Sequence, residues 1–135
     1  MRIMGLDFGT KRIGVAISDP ECSMAHPLDT VEVRTDGSHM EKIQAIAREY
    51  RIAKVVIGLP YNMDGSIGPS GEKVLLWSEE IKNLLEVPVV FWDERLTTSE
   101  AHNLMIGLKV KGRKRRLVVD KIAAGIILKD YLDSL

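Results

Sequence analysis

GLDFGTKRIGVAISD, from Gly5 to Asp19, reads as two strands joined by a tight loop. Apolar residues run up to Asp7, the loop is Gly9-Thr10-Lys11-Arg12, and then Ile13, Val15 and Ile17 alternate with Gly14, Ala16 and Ser18. Met4, Leu6 and Phe8 face one side of the first strand, and Ile3, Gly5 and Asp7 face the other. That strand is therefore apolar on both faces apart from one carboxylate near its end. Desolvating a lone carboxylate is costly unless a cation meets it. Asp7 is either a turn-forming residue bound to local backbone amides or part of a metal or phosphate site.

Outward from this hairpin, His26–Val33 alternates weakly and is polar, as an edge strand is. Ser38 and Glu41 have capping-box spacing, and Met40, Ile43, Ile46, Ala47 and Tyr50 recur at helical intervals, so a helix is expected to about Arg51. The apolar run from Ala53 to Leu59 suits a parallel strand covered on both faces, and Pro60 stops it. A turn-rich loop, YNMDGSIGPSG, precedes a helix with Val74, Trp77, Ile81, Leu84 and Leu85 on one stripe, then a strand from Pro88 to Trp92. Thr97 and Glu100 repeat the capping spacing and open a helix with Ala101, Leu104, Met105 and Leu108 inward. A basic loop separates it from a last helix with Val118, Val119, Ile122, Ile126 and Ile127 inward.

These elements predict one α/β domain over residues 1–135, with a five-stranded mixed sheet. Strands one to three form an antiparallel meander, right-handed crossovers add the others, and the spatial order is 3-2-1-4-5 with helices on both faces. No repeat or low-complexity tract divides the chain.

Composition narrows the function classes. Nineteen basic residues balance nineteen acidic ones, and a net charge of zero argues on its face against a nucleic-acid binder. The distribution argues the other way. Six of the nineteen basic residues, Lys109, Lys111, Arg113, Lys114, Arg115 and Arg116, fall within one run that contains no acid. That run is either a solvated face or a loop that tracks a phosphate backbone. The single cysteine, Cys22, allows no intramolecular disulfide, and no apolar stretch approaches the length of a membrane span, so a cytoplasmic protein without a membrane partner is expected. His26, His39 and His102 are scattered, without zinc spacing.

In an open α/β sheet, ligand chemistry collects beyond the carboxyl ends of the strands. Asp7 ends strand one, the GLPYNMDG loop follows strand four, and Asp93 and Glu94 follow strand five. Asp120 belongs to the first turn of the expected last helix, near the small residues Ala123, Ala124 and Gly125. It is either an acid favoured there by the helix dipole or a fourth participant in the site.

LDFGTKRIGVAISD, GLPYNMDGSIGP, DERLTTSEA and VDKIAAGIIL, in that order, resemble the YqgF/RuvX family. The resemblance spans essentially the whole chain. It implies a ribonuclease H-like fold and a nuclease that matures the 5′ end of the small-subunit ribosomal RNA precursor, pre-16S rRNA; the family was earlier proposed to resolve Holliday junctions. The family's acidic residues carry over as Asp7, Glu94 and Asp120. Hydrolysing a phosphodiester calls for charge neutralisation and an activated water, which Mg²⁺ or Mn²⁺ on carboxylates can supply. Asp7 is expected to bridge, with Glu94 and Asp120 at outer positions. Whether one or two ions bind, and whether Asp93 rather than Glu94 is the strand-five ligand, stay open, because strand four ends in Gly58-Leu59-Pro60 without an acid.

Thr10, Lys11, Arg12 and Arg95 are candidate phosphate contacts and Asn62 a candidate sugar or base contact, alongside the basic run. The expected partner is nucleic acid, an rRNA precursor ahead of a four-way DNA junction, with the protein a monomer or weak homodimer. Two other classes compete. A non-catalytic nucleic-acid-binding module would use the acids structurally, and an actin-like or sugar-kinase-like ATPase shares the Asp-x-Gly-Thr pattern but needs two such domains.

Overall fold

The computed structural model describes residues 1–96 and 112–135. The expected helix after Thr97 and the basic residues Lys109 and Lys111 lie outside the described residues. The sheet is built from β1 (Arg2–Phe8), β2 (Arg12–Ser18), β3 (Ala25–Glu32), β4 (Ile52–Leu59) and β5 (Val89–Asp93), in the order β3-β2-β1-β4-β5. β1 pairs antiparallel with β2 and parallel with β4, β2 pairs antiparallel with β3, and β4 pairs parallel with β5. The meander, the strand order and the parallel pairings of β4 are those the sequence predicts.

Among the described residues three helices cover the two faces: α1 (Ser38–Glu49), α2 (Pro69–Leu85) and α3 (Gly112–Asp133). Period-two alternation along β1 and β2 sends Met4, Leu6, Ile13, Val15 and Ile17 to one side, where they pack with Ile43 of α1 and with Val74, Trp77 and Ile81 of α2. On the other side Ile3, Ala16 and Val56 meet Ala124, Ile127, Leu128 and Leu132 of α3. Asp7 shares this second face with Ile3 and Gly5, so it points toward α3 rather than into the larger core.

Glycines set how closely α3 lies on the sheet. A Cβ at Gly14 would overlap the backbone carbonyl of Asp120, and one at Gly5 would stand 2.8 Å from Leu128 Cβ. The expectation placed this small-residue seam on the helix; the sheet supplies its tightest points.

Three local expectations are corrected. Ser38 does not cap α1: Gly37, at φ 79°, holds the N-cap position, and the Ser38 amide donates to Asp36 Oδ1 at 3.0 Å. The basic run is not a loop throughout, since α3 begins at Gly112 and takes in Arg113, Lys114, Arg115 and Arg116. Cations at a helix N-terminus oppose its dipole, but Arg and Lys are good helix formers and the packing of the later turns carries the helix back through them. Asp120 is therefore well inside α3 and not in its first turn. The inward face also differs: Ala124, Ile127, Leu128 and Leu132 are buried, whereas Val118, Val119, Ile122 and Ile126 are half-buried. Apolar residues occur nearly all round this helix, so periodicity alone did not select the stripe.

Candidate active site

Asp7 sits near the carboxyl end of β1, half-buried beneath α3. Its partner across β1 and β2 is Gly14, and the carbonyl of Asp120 lies directly over Gly14, which brings this turn of α3 beside Asp7. On its other side β4 is in register with Leu6 opposite Ile57, so Gly58 is the next residue beside Asp7.

Glu94 completes the arrangement from a single 3-10 turn, Glu94–Leu96, that follows β5 directly. A Cβ at Gly58 would lie 2.6 Å from Glu94 Oε1 and 2.6 Å from Ile127 Cδ1. The missing side chain on strand four is thus the space through which Glu94 folds back toward β1. The Glu94 carboxyl comes close enough to Asp7 for each to shift the titration of the other. A glycine inside an otherwise branched apolar run is the signal for such an approach.

Burial first, then the charge of Glu94, its hydrogen bond and the charge of Asp120, push the Asp7 carboxyl up to about 8. Burial also raises Glu94, against the lowering effect of the hydrogen bond with Asp7. Two carboxyls this close, both pushed up by burial, are a pair short of positive charge.

Asp93 is set apart from this pair. Its carboxylate accepts from Arg95 Nε at 3.1 Å and Nη2 at 2.8 Å, and from the Arg95 amide at 2.9 Å, which holds it below the usual carboxylate range. Of the two neighbouring acids, Glu94 meets Asp7. Arg95 is correspondingly engaged: Nη1 donates to the Asn62 carbonyl at 3.2 Å and the guanidinium lies 5.2 Å from the Tyr61 ring centroid. The Asn62 side chain donates to Ser66 Oγ at 3.0 Å. Through the Asn62 carbonyl, Arg95 joins the β4 loop to the end of β5.

Arg12, expected to hold phosphate, donates from Nε to Asp120 Oδ2 at 2.6 Å, with both side chains about a quarter exposed. Thr30 Oγ1 donates to the Leu117 carbonyl one turn earlier, so β2 and β3 together pin this part of α3. Thr10 and Lys11 are exposed at the hairpin tip.

The donor set of Asp7 and Glu94, oxygen only and crowded by like charge, fits a hard divalent cation. Among the described residues, no group of three or more His, Cys, Asp and Glu side chains could hold a metal ion. The structure brings two of the three expected ligands together and leaves the third, Asp120, close enough to act on Asp7 by charge but turned to Arg12.

A mixed sheet in this order, with acids at the carboxyl ends of β1 and β5 and on the covering helix, is the ribonuclease H-like architecture. T. thermophilus RuvC in complex with a Holliday junction substrate shares it at a TM-score of 0.59 and 17% identity, over 99% of this chain and 94% of that one. The fowlpox virus resolvase in complex with Holliday junction DNA does so at 0.59 and 10%, over 99% and 98%.

The family described as "RuvX: Holliday junction resolvase" matches residues 1–134, and the chain belongs to it. A protein of Caldanaerobacter subterraneus subsp. tengcongensis, named "Putative pre-16S rRNA nuclease", is 49% identical over 99% of this chain and 97% of its own length. One from Bacillus mycoides with the same name is 45% identical over 99% of each.

Proposed function

We propose that the chain is a metal-dependent endonuclease that hydrolyses phosphodiester bonds in the 5′-end maturation of pre-16S rRNA, as one cytoplasmic nuclease domain. The observation that carries this reading is the half-buried, like-charged Asp7–Glu94 pair, held over Gly58 at the carboxyl end of the parallel strands. Family membership and relatives named for pre-16S rRNA support the reaction and the substrate. Among the described residues no helix is long and apolar enough to cross a membrane.

Asp7 and Glu94 would hold Mg²⁺ or Mn²⁺, with Asp120 alongside. The bound ion supplies neutralisation of phosphate charge and an activated water. The chain's own groups do the rest. The Asp7–Glu94 pair gives up its proton on loading, and the wall of Ile127 and Trp92 limits water on the side of α3. Thr10 and Lys11 at the hairpin tip and the basic run at the start of α3 grip the backbone without reading sequence.

Purified protein incubated with pre-16S rRNA carrying its 5′ extension and Mn²⁺ should cut it, and Asp7→Asn should not. Equal cutting by the variant removes the assignment. The family description favours a second reading, resolution of four-way DNA junctions, and a junction run in parallel separates the two. RNA affinity that persists without any Mn²⁺ uptake would identify a binding module instead.

A further inference from the structure

The pairing of Arg12 with Asp120 bears on how many ions the site takes, given the nuclease reading above. Arg12 and Gly14 lie two residues apart on β2, hence on the same face, and Asp120 is seated over Gly14. The guanidinium is thus delivered by the sheet to the one acid that does not meet Asp7 and Glu94. Its Nε lies 2.6 Å from Asp120 Oδ2, in a contact about three-quarters shielded from solvent. A guanidinium is a fixed positive charge in proteins.

Charge counting then decides between the alternatives. Fully ionised, Asp7, Glu94 and Asp120 carry three negative charges and Arg12 returns one. One divalent ion balances the remainder. A second would leave a surplus of two positive charges before any phosphate enters, and would have to displace the guanidinium from Asp120. We propose that the Arg12 guanidinium occupies the outer cation position at Asp120, so that the protein loads one divalent ion, on Asp7 and Glu94, rather than a pair. Arg12 is on this view a positioning residue: it holds Asp120 at the rim of the site and supplies the fixed charge that a second ion would otherwise bring.

The test is a Mn²⁺ titration of the full chain, with free ion read by electron paramagnetic resonance. It is run on the protein alone and on protein saturated with a single-stranded DNA oligonucleotide, corrected for ions held by the oligonucleotide. The wild type should take up one ion per chain in both conditions. Arg12→Gln, folded by circular dichroism, should take up two, and Arg12→Lys, which keeps the charge, should return to one. Asp120→Asn serves as an independent variant that should still bind one. Two ions per wild-type chain, one per Arg12→Gln chain, or none in Asp120→Asn would overturn the inference and leave the nuclease reading standing. No uptake by the wild type at millimolar Mn²⁺ would remove both.

Discussion

Replacing Asp7 by Asn should make the metal-free protein more stable while abolishing cleavage. In the fold the Asp7 carboxyl is held at about 8, against an ordinary value of 3.8. Between those values the folded chain keeps a proton that the unfolded chain has lost, so stability falls as pH rises from about 4 toward 8 and is fully present only below the lower value. Each pH unit costs about 1.4 kcal/mol, which sets a ceiling of about 4 kcal/mol at pH 7 for forcing this one group to stay neutral. Asn does not titrate, and its amide can donate to Glu94 as the protonated acid does. Because Glu94 carries part of the same burden, the expected gain at pH 7 is ~2–4 kcal/mol, or a Tm higher by roughly 6–15 °C in a chain of this size.

Thermal melts in EDTA at intervals from pH 4 to pH 8, for wild type and Asp7→Asn, measure this directly. The gap between the two should open with rising pH and nearly close at pH 4. Adding Mn²⁺ should reverse the order, since an ion at a thousand times its dissociation constant stabilises the wild type by about 4.1 kcal/mol and finds no such site in the variant. A gap that is flat with pH, or a variant less stable than wild type at pH 8, would refute the account of Asp7 as a buried, proton-sharing acid.

Three further outcomes are expected. Gly58→Ala puts a methyl group 2.6 Å from both Glu94 Oε1 and Ile127 Cδ1, so it should cost about 1–3 kcal/mol in chemical denaturation and weaken Mn²⁺ uptake more than that loss explains. Gly14→Ala collides with the Asp120 carbonyl, a backbone atom that cannot step aside, and should cost upwards of about 2 kcal/mol with loss of cleavage; a melt within 1 °C of wild type would count against the close approach of α3. If the basic run between Lys109 and Arg116 makes four to six phosphate contacts, the affinity for single-stranded RNA should fall with salt at a log–log slope of about −3 to −4, and replacing Arg113, Lys114, Arg115 and Arg116 by Gln should flatten it.

The sheet order was legible because each strand carried a plain signal. Alternation marked β2, a nearly unbroken apolar run marked β4, and turn formers stood between them. Asp7 was legible for the same reason, as the one acid in an otherwise apolar strand. What stayed hidden depended on contacts between distant residues. Gly58 signals a close approach to strand four, but naming Glu94 as what folds back across it requires knowing which strand lies beside β4 and in what register. The start of α3 was misplaced because a cationic first turn argues against a helix locally, and only packing further along overrules it. That Arg95 reaches the Asn62 carbonyl was hidden in the same way, because that partner lies thirty-three positions earlier.

That last contact has a mechanical side. The guanidinium of Arg95 grips Asp93 on one flank and the Asn62 carbonyl on the other, with the Tyr61 ring against its plane. Glu94 sits between the two residues of that clasp, in the same short turn. A nucleic acid strand that leaned on the 61–66 segment would therefore tug on the backbone that aims Glu94, so that docking at the rim and the alignment of the acid behind it are geared together.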